Sequence, residues 1–170
     1  MKIAITKGRS GDFIAIDRDD GSRVETSFPH KGPVPHDAVH YFVERALGLT
    51  RAFWGMIAAG AHPEALVELA KAAGHASASR ARVPDPAIVE LIQAERLVEC
   101  FEAELWSGGS DDADDYAGLL AMAAAGCETS HVPLPDLAPS ALVLARTSLR
   151  TFAAEWIAAP LGHVALLDWA

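Results

Sequence analysis

Across residues 1–30, apolar and polar positions alternate along three short runs, KIAIT, DFIAIDR and SRVETSF, which are interrupted at KGRSGD and RDDGS. A period of two puts every second side chain on one face, so the runs predict antiparallel strands with one buried face. Asp20-Gly21 marks a tight turn between the second and third runs, because glycine supplies the positive φ such a turn needs. PHKGPVPHD, with three prolines and a glycine, then breaks the alternation and leads into a different period.

From residue 36 the apolar positions Val39, Phe42, Val43, Ala46 and Leu47 fall on one stripe of a 3.6-residue period, and Gly48 suits the end of that helix. TRAFWGMIAAG predicts a short second helix stopping near Gly60, and Pro63 opens a third, PEALVELAKAAG. HASASRARVPDP, near residues 75–86, reads as the longest flexible connection. Apolar residues at 87, 91, 94, 98, 101 and 105 then predict a helix of about twenty residues, with Glu90, Glu95, Glu99, Glu102 and Glu104 on its water side or borders. The aspartates of SGGSDDADDY stand before or within the first turn of the next helix, where its dipole favours negative charge. In the last long helix Leu142, Leu149, Phe152 and Trp156 mark the buried stripe, ended by Pro160 and Gly162. HVALLDW, residues 163–169, predicts a strand that can return to the N-terminal sheet. The expectation is an α+β fold in a single domain over residues 1–170: a small N-terminal antiparallel sheet, joined by a C-terminal strand, packed on a helical body spanning 36–158.

Composition narrows the class. With 51% hydrophobic and 22% charged residues in 170, the chain is in the globular range. It shows no apolar run of membrane-spanning length, so no membrane partner is expected. Two cysteines, Cys100 and Cys127, without CxxC spacing, suit a reducing cytoplasm. The net charge of −9 argues against nucleic-acid binding, which needs a basic face. Residues 1–85 carry eleven Lys or Arg against ten Asp or Glu, and residues 86–170 carry three against thirteen. The acidity is therefore concentrated in the second half, the natural place for a basic partner.

Most sequence patterns with a chemical meaning fail here. DRDDG has its glycine one place early for a calcium loop and lacks the closing Glu, and SGGSDDADDY puts Tyr116 at a ligand position. GRSGD is not a nucleophile elbow, and no phosphate-binding glycine loop occurs. What remains is His36-Asp37-x-x-His40, one methylene short of the H-E-x-x-H zinc pattern. Residues four apart share a helix face, so both imidazoles can reach one metal, with Asp37 as the base for a bound water. Glu44, about 12 Å along the axis from His36, is too far to complete the set comfortably. The third ligand is sought at His30, or at Cys127 or His131 in GCETSH. Against this, Asp37 is well placed simply to ease the helix N-terminus, and His40 lies at the edge of the apolar stripe, the usual place for a half-buried structural histidine.

Residues 32–61, GPVPHDAVHYFVERALGLTRAFWGMIAAGA, resemble a family of small uncharacterised bacterial proteins with short strands around a DG turn, a P-H-D-x-x-H-Y-x-V-E helix and a closing Trp-bearing helix and strand. The resemblance implies the architecture and treats the motif as a unit; it implies no reaction. Two readings result. The favoured one is a non-enzymatic protein that binds a protein partner or itself, with no cofactor. The alternative is a metal-binding protein or metal-dependent hydrolase holding zinc or a similar divalent ion at His36 and His40.

Overall fold

The computed structural model describes residues 1–73, 83–108 and 115–170. Strands β1 (Lys2–Thr6), β2 (Gly11–Asp17), β3 (Arg23–Pro29) and β4 (Val164–Asp168) form one antiparallel sheet in the order β3-β2-β1-β4. The C-terminal strand therefore returns to the N-terminal sheet, beside β1. The fold is α+β, with the α-helices α1 (His36–Leu47), α2 (Phe53–Ala58), α3 (Pro63–Ala72), α4 (Val89–Ser107), α5 (Ala117–Thr129) and α6 (Pro139–Ala158) between β3 and β4. The expected connection near 75–86 falls largely outside the described residues, and its end, Pro86–Ile88, forms a single 3-10 turn.

Register explains why only one face of the sheet is wet. Ile3 lies opposite Ile16 and Leu167, and Ile5 opposite Ile14 and Ala165, so these apolar side chains gather on one face. The four isoleucines are essentially inaccessible and join the helices in one buried cluster. Phe13, Val164 and Leu166 point the other way and stay exposed. At the hairpin, Gly21 has φ 84° and the Asp20 carboxylate accepts from the Ser22 N–H at 2.8 Å, so the predicted turn is built by the residues that predicted it.

Three basic side chains tie sheet to helices at helix ends or at a sheet edge. Lys7 Nζ donates to the carbonyls of Trp156 and Ala159, each at 2.7 Å, closing the C-terminus of α6. Arg18 does the same for α2, donating to Ile57 and Ala61 at 2.6 Å each. Arg45 and Tyr41 of α1 both donate to the Asp168 carbonyl of β4.

Helix α1 packs against α4 on one side and α6 on the other. Val39 and Val43 are fully buried, as their stripe predicts, while Phe42 and Leu47 are partly covered. The stripe read in α6 is likewise buried at Leu142, Leu149, Phe152 and Trp156. Two expectations are corrected. His40 is not half-buried but 2% exposed, and Glu102 of α4 is buried rather than on the water side. The reason is common to both: α4 packs on α1 along the face that carries the histidines, so a second, polar seam is buried beside the apolar one.

The return of α2 onto α1 depends on Gly55, where a Cβ would stand 1.8 Å from the Thr50 carbonyl oxygen. Backbone has no room to yield there. Gly55→Ala is expected to lower the unfolding free energy by about 3 kcal/mol, read as a shift of the urea midpoint with unchanged slope.

Candidate metal centre

Helix α1 begins abruptly after Pro35, whose φ of −59° and ψ of 126° end the extended segment. His36, His40 and Glu44 then follow at intervals of four, one above another on a single face. The two histidines face α4, where Glu95 and Glu102, seven residues and two turns apart, also share a face, while Glu44 reaches the start of α2.

The contacts form a chain. Glu44 Oε1 meets His40 Nδ1 at 2.8 Å, and Glu102 Oε1 meets His36 Nδ1 at 2.9 Å. The opposite nitrogens point at one carboxylate: His40 Nε2 is 3.7 Å from Glu95 Oε1, and His36 Nε2 is 3.8 Å from Glu95 Oε2. The imidazole rings themselves meet edge to face at 4.8 Å. One ligand atom from each of His36, His40 and Glu95 lies within 4.8 Å of the others.

Those distances decide what the cluster can hold. Separations of 3.7 and 3.8 Å are too long for direct hydrogen bonds. Metal–nitrogen and metal–oxygen bonds of 2.0 to 2.2 Å at tetrahedral angles place neighbouring ligand atoms about 3.4 Å apart, whereas here the two nitrogen–oxygen separations run to different oxygens of Glu95 and the set as a whole spans up to 4.8 Å. The side chains would have to draw together for two imidazoles and one carboxylate to share one ion. The Nδ1 contacts to Glu44 and Glu102 favour a proton on Nδ1 in the neutral rings and leave Nε2 as the donor to a metal.

Electrostatics follow the same geometry. Burial lowers the affinity of His40 for a proton, but Glu44 and Glu95 on its two sides outweigh that and push its pKa up to about 10. His36 is raised for the same reason: burial opposes, and Glu102 and Glu95 prevail. Glu95 is held well below the usual carboxylate range; burial would raise it, but the two histidines dominate. Asp37 moves the other way, raised by burial against the pull of His36, His40 and Lys31.

A cavity of about 650 Å³ opens beside the cluster, with His36, Asp37, His40, Phe53 and Glu95 in its wall. Asp37 is 8% exposed, and its carboxylate makes no hydrogen bond to another residue among those described.

The residues proposed from sequence divide accordingly. His36, Asp37 and His40 are brought together. His30 lines the same cavity but hydrogen-bonds Asp12 at 3.0 Å and is not in the converging set. Cys127 sits within α5 rather than in a loop, buried beside Arg96 and Cys100, and His131 follows in the left-handed conformation with φ 58°. The residue that converges with His36 and His40 is instead Glu95. The spacing Glu95-x6-Glu102 on an amphipathic helix, beside the interval of four through Glu44, is the signal that could have exposed it. No protein-family model, curated protein or solved structure matches the chain, so the resemblance at residues 32–61 gains no support and function is argued from the site.

A raised histidine pKa stabilises the fold fully below its unfolded value near 6.5, and that stability is lost as pH rises through about 10. Chelator-treated protein should therefore show a falling urea midpoint between pH 7 and 10. Glu95→Gln, which removes the charge facing both histidines, should flatten that fall; an equal slope in both proteins would contradict the assignment.

Proposed function

We propose that the protein binds one divalent transition metal ion, zinc in the first instance, through His36 Nε2, His40 Nε2 and Glu95, and uses it to hydrolyse a small substrate. One observation carries the reading: both Nε2 atoms converge on one carboxylate while each Nδ1 is tethered by a further one. Carboxylate-held histidines are the usual means of orienting a metal-binding ring and raising its basicity. Three protein ligands beside a cavity leave a coordination position for water, which is the arrangement of a catalytic rather than a structural zinc site.

Asp37 supplies the remaining part. Asp37 is buried at the cavity wall next to His36, its carboxylate makes no hydrogen bond to another side chain among the described residues, and burial raises its basicity. It serves as the base that takes a proton from water as the water adds to a carbonyl carbon. The proton then passes to the leaving group as its bond to that carbon breaks.

The alternative favoured by the sequence, an interaction protein, has a different observation in its support: Leu166, Val164 and Phe13 are 78%, 45% and 42% exposed on the outer face of the sheet. Elemental analysis and zinc titration separate the two. One equivalent of zinc, iron or manganese is expected in the purified chain, and His36→Ala with His40→Ala should abolish it. Glu102→Gln should retain the stoichiometry but weaken zinc binding by about 10- to 100-fold. A chain that holds no metal and self-associates in light scattering would return the weight to the interaction reading.

A further inference from the structure

The cavity beside the cluster has walls of unequal charge, and these define what it can accept. Helix α3 presents Glu64, Val67, Glu68 and Lys71 to it, at the intervals of three and four that make one helical face. Lys71 is already bound to Glu68 at 2.8 Å, and Glu64 accepts from the Thr26 hydroxyl at 3.3 Å. The α3 wall is thus anionic, with its own cation neutralised. Asp12, at the start of β2 opposite Phe28 of β3, is likewise committed to His30.

Lys31 is the exception. It lines the same cavity, on the segment between β3 and α1, and makes no ion pair or hydrogen bond among the described residues. Phe28, Phe53 and Val67 give the same cavity an apolar lining, and the Phe53 ring lies 5.3 Å from that of His40. Three recognition elements therefore surround one volume: the His36, His40 and Glu95 cluster, an apolar lining, and the Lys31 ammonium, which has no direct ion pair among the described residues and whose charge also acts on Asp37. An anionic group is repelled from the α3 side and has Lys31 as its partner.

We infer that the cavity takes a small carboxylate-bearing amide or ester, with its carboxylate on Lys31, an apolar substituent against Phe28, Phe53 and Val67, and its reacting carbonyl at the His36, His40 and Glu95 cluster. This rests on the metal reading above. Water adds to the carbonyl carbon, the bond from that carbon to nitrogen or oxygen breaks, and the proton given up by water goes to the departing amine or alcohol; nothing is oxidised or reduced. A cavity of about 650 Å³ is of the size that encloses a compact metabolite-sized molecule.

Benzylsuccinate is a suitable probe, since it offers one carboxylate to the metal, a phenyl ring to the apolar wall and a second carboxylate to Lys31. Hydrocinnamate keeps the ring and one carboxylate only. Calorimetric titration of zinc-loaded protein should give binding about tenfold tighter for benzylsuccinate, the worth of one charge-assisted hydrogen bond. Lys31→Met should remove that difference while leaving hydrocinnamate binding and zinc content unchanged. If zinc binds with unit stoichiometry but Lys31→Met affects both probes equally or neither, the substrate assignment falls and the metal reading stands. If zinc does not bind, both fall.

Discussion

A carboxylate with no access to water governs the region around it. Glu44 is 0% exposed, and an uncompensated buried carboxylate costs several kcal/mol, so its surroundings must supply donors. They do so three times: the N–H groups of Phe53 and Trp54 at 3.2 and 2.9 Å, and His40 Nδ1 at 2.8 Å. The first two are orphan donors at the start of α2, where Ala52 has no side chain able to cap them. One carboxylate on α1 thus fixes where α2 starts and how the His40 ring is turned. The Trp54 indole N–H, donating to the Asp37 carbonyl, adds a second link between the same two helices.

That link makes α1 the reference for the remainder. Its apolar stripe packs into the core beneath the sheet, Tyr41 and Arg45 hold the end of β4, and its histidine face is pressed onto α4. The site therefore stands between helices that are each held from another direction. Such rigidity is what a ligand cluster needs, because imidazoles free to rotate would lose much of their affinity to conformational entropy. The cavity wall from α3 is a later addition to this frame, secured by Leu66 and Ala70 on its buried face.

The strands and helices were legible because their signals are local. Alternation in KIAIT and DFIAIDR, the 3.6-residue stripe through Val39 and Val43, and the glycine at position 21 each act over a few residues. His36 and His40 were legible for the same reason, being one turn apart. Glu95 was not, since its distance from His40 in sequence is 55 residues and its own helix reads as amphipathic with charge outward. A glutamate on a helix border reads as solvated unless the opposing helix is known to carry histidines. Glu102, read on the water side or at the border of its helix, was missed by the same rule, and Cys127 and His131 were drawn in by a short spacing at the end of α5, where Cys127 lies beside Cys100 and Arg96 and neither joins the converging set. Local pattern finds residues that meet along one helix; only packing finds those that meet across two.

The same seam raises the question of why a core would keep two imidazoles among three carboxylates. When His36 and His40 are both protonated, two positive charges face the side chains of Glu44, Glu95 and Glu102. Replacing those two protons by one divalent cation leaves the cluster's net charge unchanged, so the exchange needs no new counter-charge in a place where charge is expensive. The protons and the ion also make use of the same Nε2 atoms, while the Nδ1 contacts persist in either state. A purely structural ion-pair network gains nothing from that equivalence, and hydrophobic residues of similar volume would serve as well. An arrangement neutral to the exchange of two protons for one divalent ion, on rings already held in place, is compatible with the metal binding proposed above as well as with a protonated pair.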